Sequence, residues 1–282
     1  MYVVGLVGPF GSGCSYVGKW IEKNKGYKLL SLSDELRDLF KKEFPRKKIT
    51  RKELQDYGNT VRKEKGYAYL AEQVWGKIQK DLSNNYVIDS IRNPEEINYL
   101  RKQIAEFYLF GVFAEPEERW NRVKRIYNDD RRDFIEDDHR DSGEKVIYGQ
   151  RVTDSFSMSD VIILNNNQIL SNNENERYFN SELSDKIDLI EKKIPFRPSP
   201  VETYMTMAYA SSMRSSCMKR KVGAVIVDAN GNVFSSGYNE VPSSNKSCLS
   251  EYGNCYRDRL KSDFKGSLET VIKKEKRKRC SI

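Results

Sequence analysis

The segment Gly8-Pro9-Phe10-Gly11-Ser12-Gly13-Cys14-Ser15 restricts the fold of this chain more than any other stretch. It follows an apolar, β-branched run over 2–7 and precedes Val17, Trp20 and Ile21 at helical spacing, so it reads as strand, glycine-rich loop, helix. The spacing fits G-x-x-x-x-G-x-[ST], in which main-chain N–H groups wrap a phosphate and the helix N-terminus adds positive potential. Glycines at 8, 11 and 13 let the backbone approach the anion closely. Ser15 falls where such a loop places a hydroxyl on magnesium, so the expected ligand is a nucleoside triphosphate with Mg²⁺ bound by Gly8, Gly11, Ser12, Gly13, Cys14 and Ser15. The lysine that normally reaches the β- and γ-phosphates is replaced by Cys14, and a thiol cannot supply its charge. Lys19 is roughly a turn and a half further along the helix and substitutes poorly. A tight strand-to-helix turn with incidental glycines is the alternative.

The rest of the first half repeats the strand–helix alternation. Strands are predicted over 27–32, 85–89, 107–114 and 161–164, with helices from Asp34 to Lys42 (Ser33 as N-cap), from Arg51 to Asp81 with a break near Gly66, and opening at Pro94 and at Glu115. This is an α/β pattern, a P-loop NTPase-like parallel sheet with helices on both faces. Residues 165–180 are crowded with asparagine, a short helix spans 184–192, and Pro195, Pro198 and Pro200 stiffen the chain. The expected organisation is a nucleotide-binding domain over 1–165, a linker over 166–200 and a second, partial α/β domain over 201–282. The latter opens with a small-residue helix, then strands at 222–228 and 233–238 around the hairpin signal Asn230-Gly231.

Asp89 closes the third strand, where an acidic residue faces the magnesium, and Arg92 sits at the same carboxyl edge of the sheet. Arg62, with Arg51 nearby, is placed to meet a second nucleotide's phosphate, and Arg131, Arg132 and Arg140 fall where kinases of this architecture carry an arginine-rich lid; a salt-bridged surface helix would read the same. The chain of 282 residues carries a net charge of +8, concentrated at 46–52, 62–65 and 273–279, runs that suit either solvated helix faces or phosphate and RNA. No run of about 18 apolar residues predicts a membrane span, and five cysteines without a secretion signal fit a reducing cytoplasm.

Gly8–Ser15, Asp-Tyr-Gly-Asn at 56–59, Asp-Ser-Ile-Arg-Asn-Pro at 89–94, Arg-Asp-Ser-Gly-Glu at 140–144 and Tyr148-Gly149-Gln150 resemble the N-terminal domain of anti-phage dCTP/dCMP deaminases, which fuse a P-loop kinase-like domain to a zinc deaminase. That family tolerates a loop without lysine. Residues 208–215, 221–227 and 237–242 resemble the opening of its deoxycytidylate deaminase fold, and the resemblance makes Asn239 a nucleotide-binding residue. It implies conversion of deoxycytidine to deoxyuridine nucleotides, depleting dCTP during infection.

Zinc deamination needs H-x-E followed by P-C-x-x-C: metal ligands and a proton-shuttling glutamate. The one histidine, His139, precedes Arg140 and Asp141; no C-x-x-C occurs; and Cys248 and Cys255 lack the further ligands of a closed site. The expectation is therefore a chain that stops short of the zinc motifs, binds no zinc and does not deaminate. Its partners would be nucleotides, a regulatory RNA or a polypeptide carrying the remainder, or a second copy. A small nucleotide kinase built on 1–165 and a non-catalytic nucleotide or RNA sensor are the rival readings.

Overall fold

A computed structural model describes residues 1–47, 49–142, 149–166, 173–195, 197–241, 246–256, 258–262 and 264. Lys48, Gly143, Glu144, Tyr148, Asn167, Asn172, Pro242, the basic run 273–279 and Cys280 lie outside the described residues.

Strand β1 (Val3–Val7) is the centre of the first unit because it is buried along its whole length. Val3 and Val7 face one way, into a core with Leu32, Leu36, Leu70, Ile97 and Leu100. Leu6 faces the other way, toward helix α1 (Cys14–Lys25), where Gly18 lets it approach. A strand apolar on both faces must be covered on both, which is what a parallel sheet wrapped by helices provides. Each such buried side chain contributes about 1.5–3 kcal/mol.

Around β1 the chain places β2 (Lys28–Ser31), β3 (Tyr86–Ile91), β4 (Phe107–Phe113) and β5 (Val161–Leu164) in one parallel sheet of order β2-β3-β1-β4-β5. Helices α2 (Leu32–Glu43), α3 (Arg51–Lys65), α4 (Tyr69–Ile78), α5 (Pro94–Gln103), α6 (Pro116–Val123), α7 (Arg131–Ser142) and α8 (Val152–Phe156) connect these strands. The expected α/β class is what is found. Helix α3 opens on Thr50 and α5 on Asn93, each with a reciprocal capping box through the third helical residue, Glu53 or Glu96.

Two local readings are corrected. Helix α2 begins at Leu32, not Asp34, so Ser33 is inside the helix; its hydroxyl donates to Ser90 Oγ at 3.0 Å and does not cap the helix. The stretch expected as a linker holds helix α9 (Asn173–Glu191), longer than the anticipated 184–192. Phe179, Leu183, Ile187 and Ile190 are buried, and the phenol of Tyr16 on α1 donates to Glu176 and Asn180. The apolar spacing of α9 was diluted by polar residues in the sequence.

The chain divides into two compact units, Met1–Pro195 and Phe196–Ile282. The second unit contains α10 (Pro200–Ser212), the antiparallel pair β6 (Gly223–Val227) and β7 (Val233–Tyr238), and the short α11 (Cys248–Tyr252). The hairpin turns where Asn230-Gly231 predicted it: Gly231 has φ 85° and Asp228 Oδ1 accepts from the amides of Asn230 and Asn232. Gly223 is the close-approach point, since a Cβ there would lie 1.8 Å from the carbonyl oxygen of Ala208 on α10.

Candidate functional site

The site lies at the carboxyl ends of β1, β3 and β4, where ligands bind in open parallel sheets. The loop after β1 is shaped by its glycines. Gly11 and Gly13 have φ of 83° and 104°, and a Cβ at Gly8 would lie 2.4 Å from the carbonyl oxygen of Val112. Three side chains hold the loop from outside. Arg119 donates through Nη1 to the Phe10 carbonyl at 3.2 Å, Arg122 through Nη1 to the Gly11 and Ser12 carbonyls at 3.2 and 3.3 Å, and Asn165 through Nδ2 to the Ser12 carbonyl at 2.8 Å. In a trans peptide the carbonyl and the next amide point to opposite sides. With those carbonyls engaged, the amides of Gly11 and Gly13 turn away from the struts, and α1 leaves its first-turn amides open. Main-chain amides arranged in this way can receive an anion.

Under it, Ser15 Oγ donates to Asp89 Oδ2 at 2.8 Å. Asp89 is aimed there by a bulge in β3: Gly5 pairs with Ile88 and Val7 with Ile91, so Asp89 and Ser90 stand opposite Leu6 alone, and Ser90 takes φ 68°. Backbone strain of this kind at a non-glycine residue belongs to sites that the surrounding structure over-determines. A hydroxyl and a carboxylate are the oxygen donors Mg²⁺ takes from protein when phosphate oxygens and water supply the rest, so the residues fit the ion. Burial, and after it the negative charge of Asp89, pushes the Cys14 thiol up from 9.0 to about 12. Cys14 is therefore neutral, with Sγ 3.6 Å from Ser12 Oγ.

Two cavities adjoin here. One, of about 290 Å³, is enclosed by the loop with Asp89, Ser90, Arg92 and Arg122. The other, of about 270 Å³, is walled by Leu32, Leu36, Ile49, Leu54, Leu70 and Ile126 and edged by arginines. Phe10, Ser90 and Arg92 border both. Asp141, near the end of α7, organises their junction. It accepts from Gln55 Nε2 at 2.7 Å, from Arg92 Nη1 at 3.1 Å and from Arg51 Nη2, while the Arg51 guanidinium stacks 3.7 Å from the Phe10 ring centroid.

The structure brings Gly8, Gly11, Ser12, Gly13, Cys14, Ser15, Asp89 and Arg92 to one cavity. Arg62 lies in the second, yet its guanidinium is 3% exposed and locked on Glu96 Oε1 at 3.2 and 3.0 Å, a brace between α3 and α5. Arg131 pairs with Glu117, Arg132 with Asp130 and Arg140 with Asp56, and none of them borders either cavity, so the surface-helix reading describes them. The arginines that reach the loop are Arg119 and Arg122 on α6, which sequence reading missed. Their i, i+3 spacing in the helix directly after β4 was the available signal.

In the second unit, Asn239 Oδ1 accepts from Val222 N at 2.7 Å and its Nδ2 donates to the Arg220 carbonyl at 2.9 Å. The amide that the resemblance assigned to nucleotide closes the mouth of the hairpin here. Backbone amides of Arg220 and Lys219 lower the pKa of the Cys217 thiol. Among the described residues no group of three or more His, Cys, Asp or Glu is placed to hold a metal. No helix among the described residues is long and apolar enough to cross a membrane.

Sheet order and loop define an α/β protein with a P-loop-like strand–loop–helix at β1, and the chain continues into a separate small unit. A UPF0200 protein of Methanothermobacter thermautotrophicus is 30% identical over 173 residues, 60% of this chain and 84% of the relative. The chain belongs to the UPF0200 family. Residues 198–256 match the cytidine and deoxycytidylate deaminase zinc-binding region family, although the matched segment contains neither H-x-E nor C-x-x-C. The deoxycytidylate deaminase of Schizosaccharomyces pombe is 35% identical over 106 residues, 38% of this chain, and the match spans about a third (32%) of that enzyme's length. Among solved structures, TT1252 from Thermus thermophilus superposes with a TM-score of 0.44 at 17% identity, over 67% of this chain and 97% of the other. Shikimate kinase from Bacteroides thetaiotaomicron gives 0.44 at 15% identity, over 67% and 99%.

Proposed function

We propose that the first unit binds a nucleoside triphosphate with Mg²⁺, its phosphates on the loop Gly8–Ser15. The observation that carries this is the Ser15–Asp89 hydrogen bond of 2.8 Å under a loop whose carbonyls are held by Arg122 and Asn165. Bound Mg²⁺ would neutralise phosphate charge. The chain's own residues do the rest: loop amides orient the phosphates, Ser15 and Asp89 present oxygens to the ion, and Arg119, Arg122 and Asn165 keep the loop in shape. Titrating the full chain with MgATP by calorimetry tests the proposal. One-to-one binding that weakens in EDTA supports it, and absence of any heat with ATP, GTP or dCTP refutes it.

For the whole chain we propose a nucleotide-binding member of the deoxycytidylate deaminase group that does not itself deaminate, in the cytoplasmic, anti-phage setting the resemblance implies. The match of residues 198–256 supports the group, and the lack of H-x-E and P-C-x-x-C anywhere in the sequence supports the inactivity. Deoxyuridylate formed from dCMP or dCTP by the chain with added zinc refutes it, and a plaque assay on expressing cells tests the setting. A second reading, a small nucleotide kinase, is favoured by the cavity beside the loop, which leaves room for a phosphate acceptor. Transfer of radiolabelled phosphate from ATP to a nucleoside monophosphate decides it.

A further inference from the structure

A loop of this pattern normally carries its own full positive charge, and here the position holds Cys14, whose side chain has no cationic form. Loop amides and the helix dipole supply only partial charges. A triphosphate still needs a cation, and four basic side chains compete for the role. Lys19 is exposed on α1, well past the loop. Arg119 is committed to Asp138 and to the carbonyls of Ala114 and Phe10. Arg122 also borders the loop cavity, but its guanidinium is engaged by the carbonyls of Gly11, Ser12 and Asn165.

Arg92 is different. It stands just past the β3 bulge that aims Asp89, and it borders the loop cavity and the adjoining one. Asp141 and Gln150 both hold it through Nη1, at 3.1 Å each, so the group is oriented while Nε and Nη2 have no partner among the described residues. Asp141 is also satisfied by Arg51 and Gln55, so it does not depend on Arg92 alone. The side chain is 22% exposed, reachable from the cavities yet screened less than a surface charge.

We propose that Arg92 is the cation that stands in for the missing loop lysine, pairing with the phosphate cradled by Gly8–Ser15. The inference rests on the reading that the loop binds nucleotide. The charge comes from the neighbouring strand, at the border with the second cavity, so an anion entering that cavity meets the same guanidinium.

The test is a cycle of MgATP affinities on the full chain: wild type, Arg92→Gln, Cys14→Lys and the double variant. A charge-assisted hydrogen bond accounts for about 10- to 100-fold in affinity. Arg92→Gln is expected to weaken MgATP by that factor. Cys14→Lys is expected to restore most of it in the Arg92→Gln background and to add far less to the wild type, because one cation makes the other redundant. In wild-type protein, mass-spectrometric mapping of phenylglyoxal modification should show MgATP protecting Arg92, a readout that does not depend on any variant folding. Arg92→Gln binding as tightly as wild type, Cys14→Lys failing to restore a folded Arg92→Gln variant, or Arg92 modified equally with and without nucleotide overturns the inference. A wild-type chain that binds no nucleotide overturns the underlying reading instead.

Discussion

Gly13→Ala isolates the strain built into the loop. Gly13 has φ 104° and ψ 19°, a conformation that penalises any side chain. A Cβ there would also lie 2.4 Å from Asn165 Nδ2, which must move and surrender its 2.8 Å hydrogen bond to the Ser12 carbonyl. The backbone penalty is about 1–3 kcal/mol and the lost hydrogen bond about 1 kcal/mol, so the variant should be less stable by about 2–4 kcal/mol. Urea unfolding of the full chain, followed by tryptophan fluorescence for the first unit, measures it. Asn165→Ala separates the two contributions. In its background the hydrogen bond is already gone and the clash relieved, so Gly13→Ala should then lose only the backbone part, about 1 kcal/mol less than in wild type. A Gly13→Ala variant within about 0.5 kcal/mol of wild type would refute the claim that the loop is held in this shape.

Other expectations follow from neighbouring residues. Glu96→Ala strands the buried Arg62 cation and removes acceptors for the amides of Arg92 and Asn93, so it should destabilise the unit by about 3–5 kcal/mol in the same unfolding assay, whereas Arg62→Met with Glu96→Leu together should lose much less than the two singles summed. Because folding raises the Cys14 pKa from 9.0 to about 12, the folded state binds more protons between those values; its contribution is complete below pH 9.0 and is lost as the pH climbs toward 12. Iodoacetamide at neutral pH should accordingly label Cys217, with its lowered pKa, well before Cys14, as peptide mapping would show. Ser15→Ala and Asp89→Asn should each erase the difference in ATP affinity between Mg²⁺ and EDTA. Asn239→Ala should weaken hydrogen-exchange protection of the Val222 amide, since that amide donates to Asn239 Oδ1.

The parallel sheet was legible because each strand is an apolar run bounded by polar loops, and the alternation with helices leaves few other folds. The loop was legible residue by residue, as was the Asp89–Arg92 edge that follows β3. The clamp around it was not. Asp141 gathers Arg51, Gln55 and Arg92 from segments far apart in sequence, and no local pattern encodes such a junction. The same blindness drew attention to Arg131, Arg132 and Arg140 as a lid and passed over Arg119 and Arg122, whose i, i+3 spacing after β4 is a faint signal beside a run of charges. Packing separates them: Arg119 is 5% exposed and bonded to the Phe10 carbonyl, whereas the Arg132 side chain is 88% exposed. The first half of helix α9 escaped because asparagines and acids interrupt an apolar spacing that only packing against α1 reveals.

The most direct test of the account is a crystal structure of the full chain grown with MgADP. The β-phosphate is expected on the loop, within hydrogen-bond distance of the amides of Gly13, Cys14 and Ser15, with Mg²⁺ beside Ser15 Oγ. Nucleotide density elsewhere, or a loop whose amides face away from it, would contradict the anion cradle on which the functional reading depends.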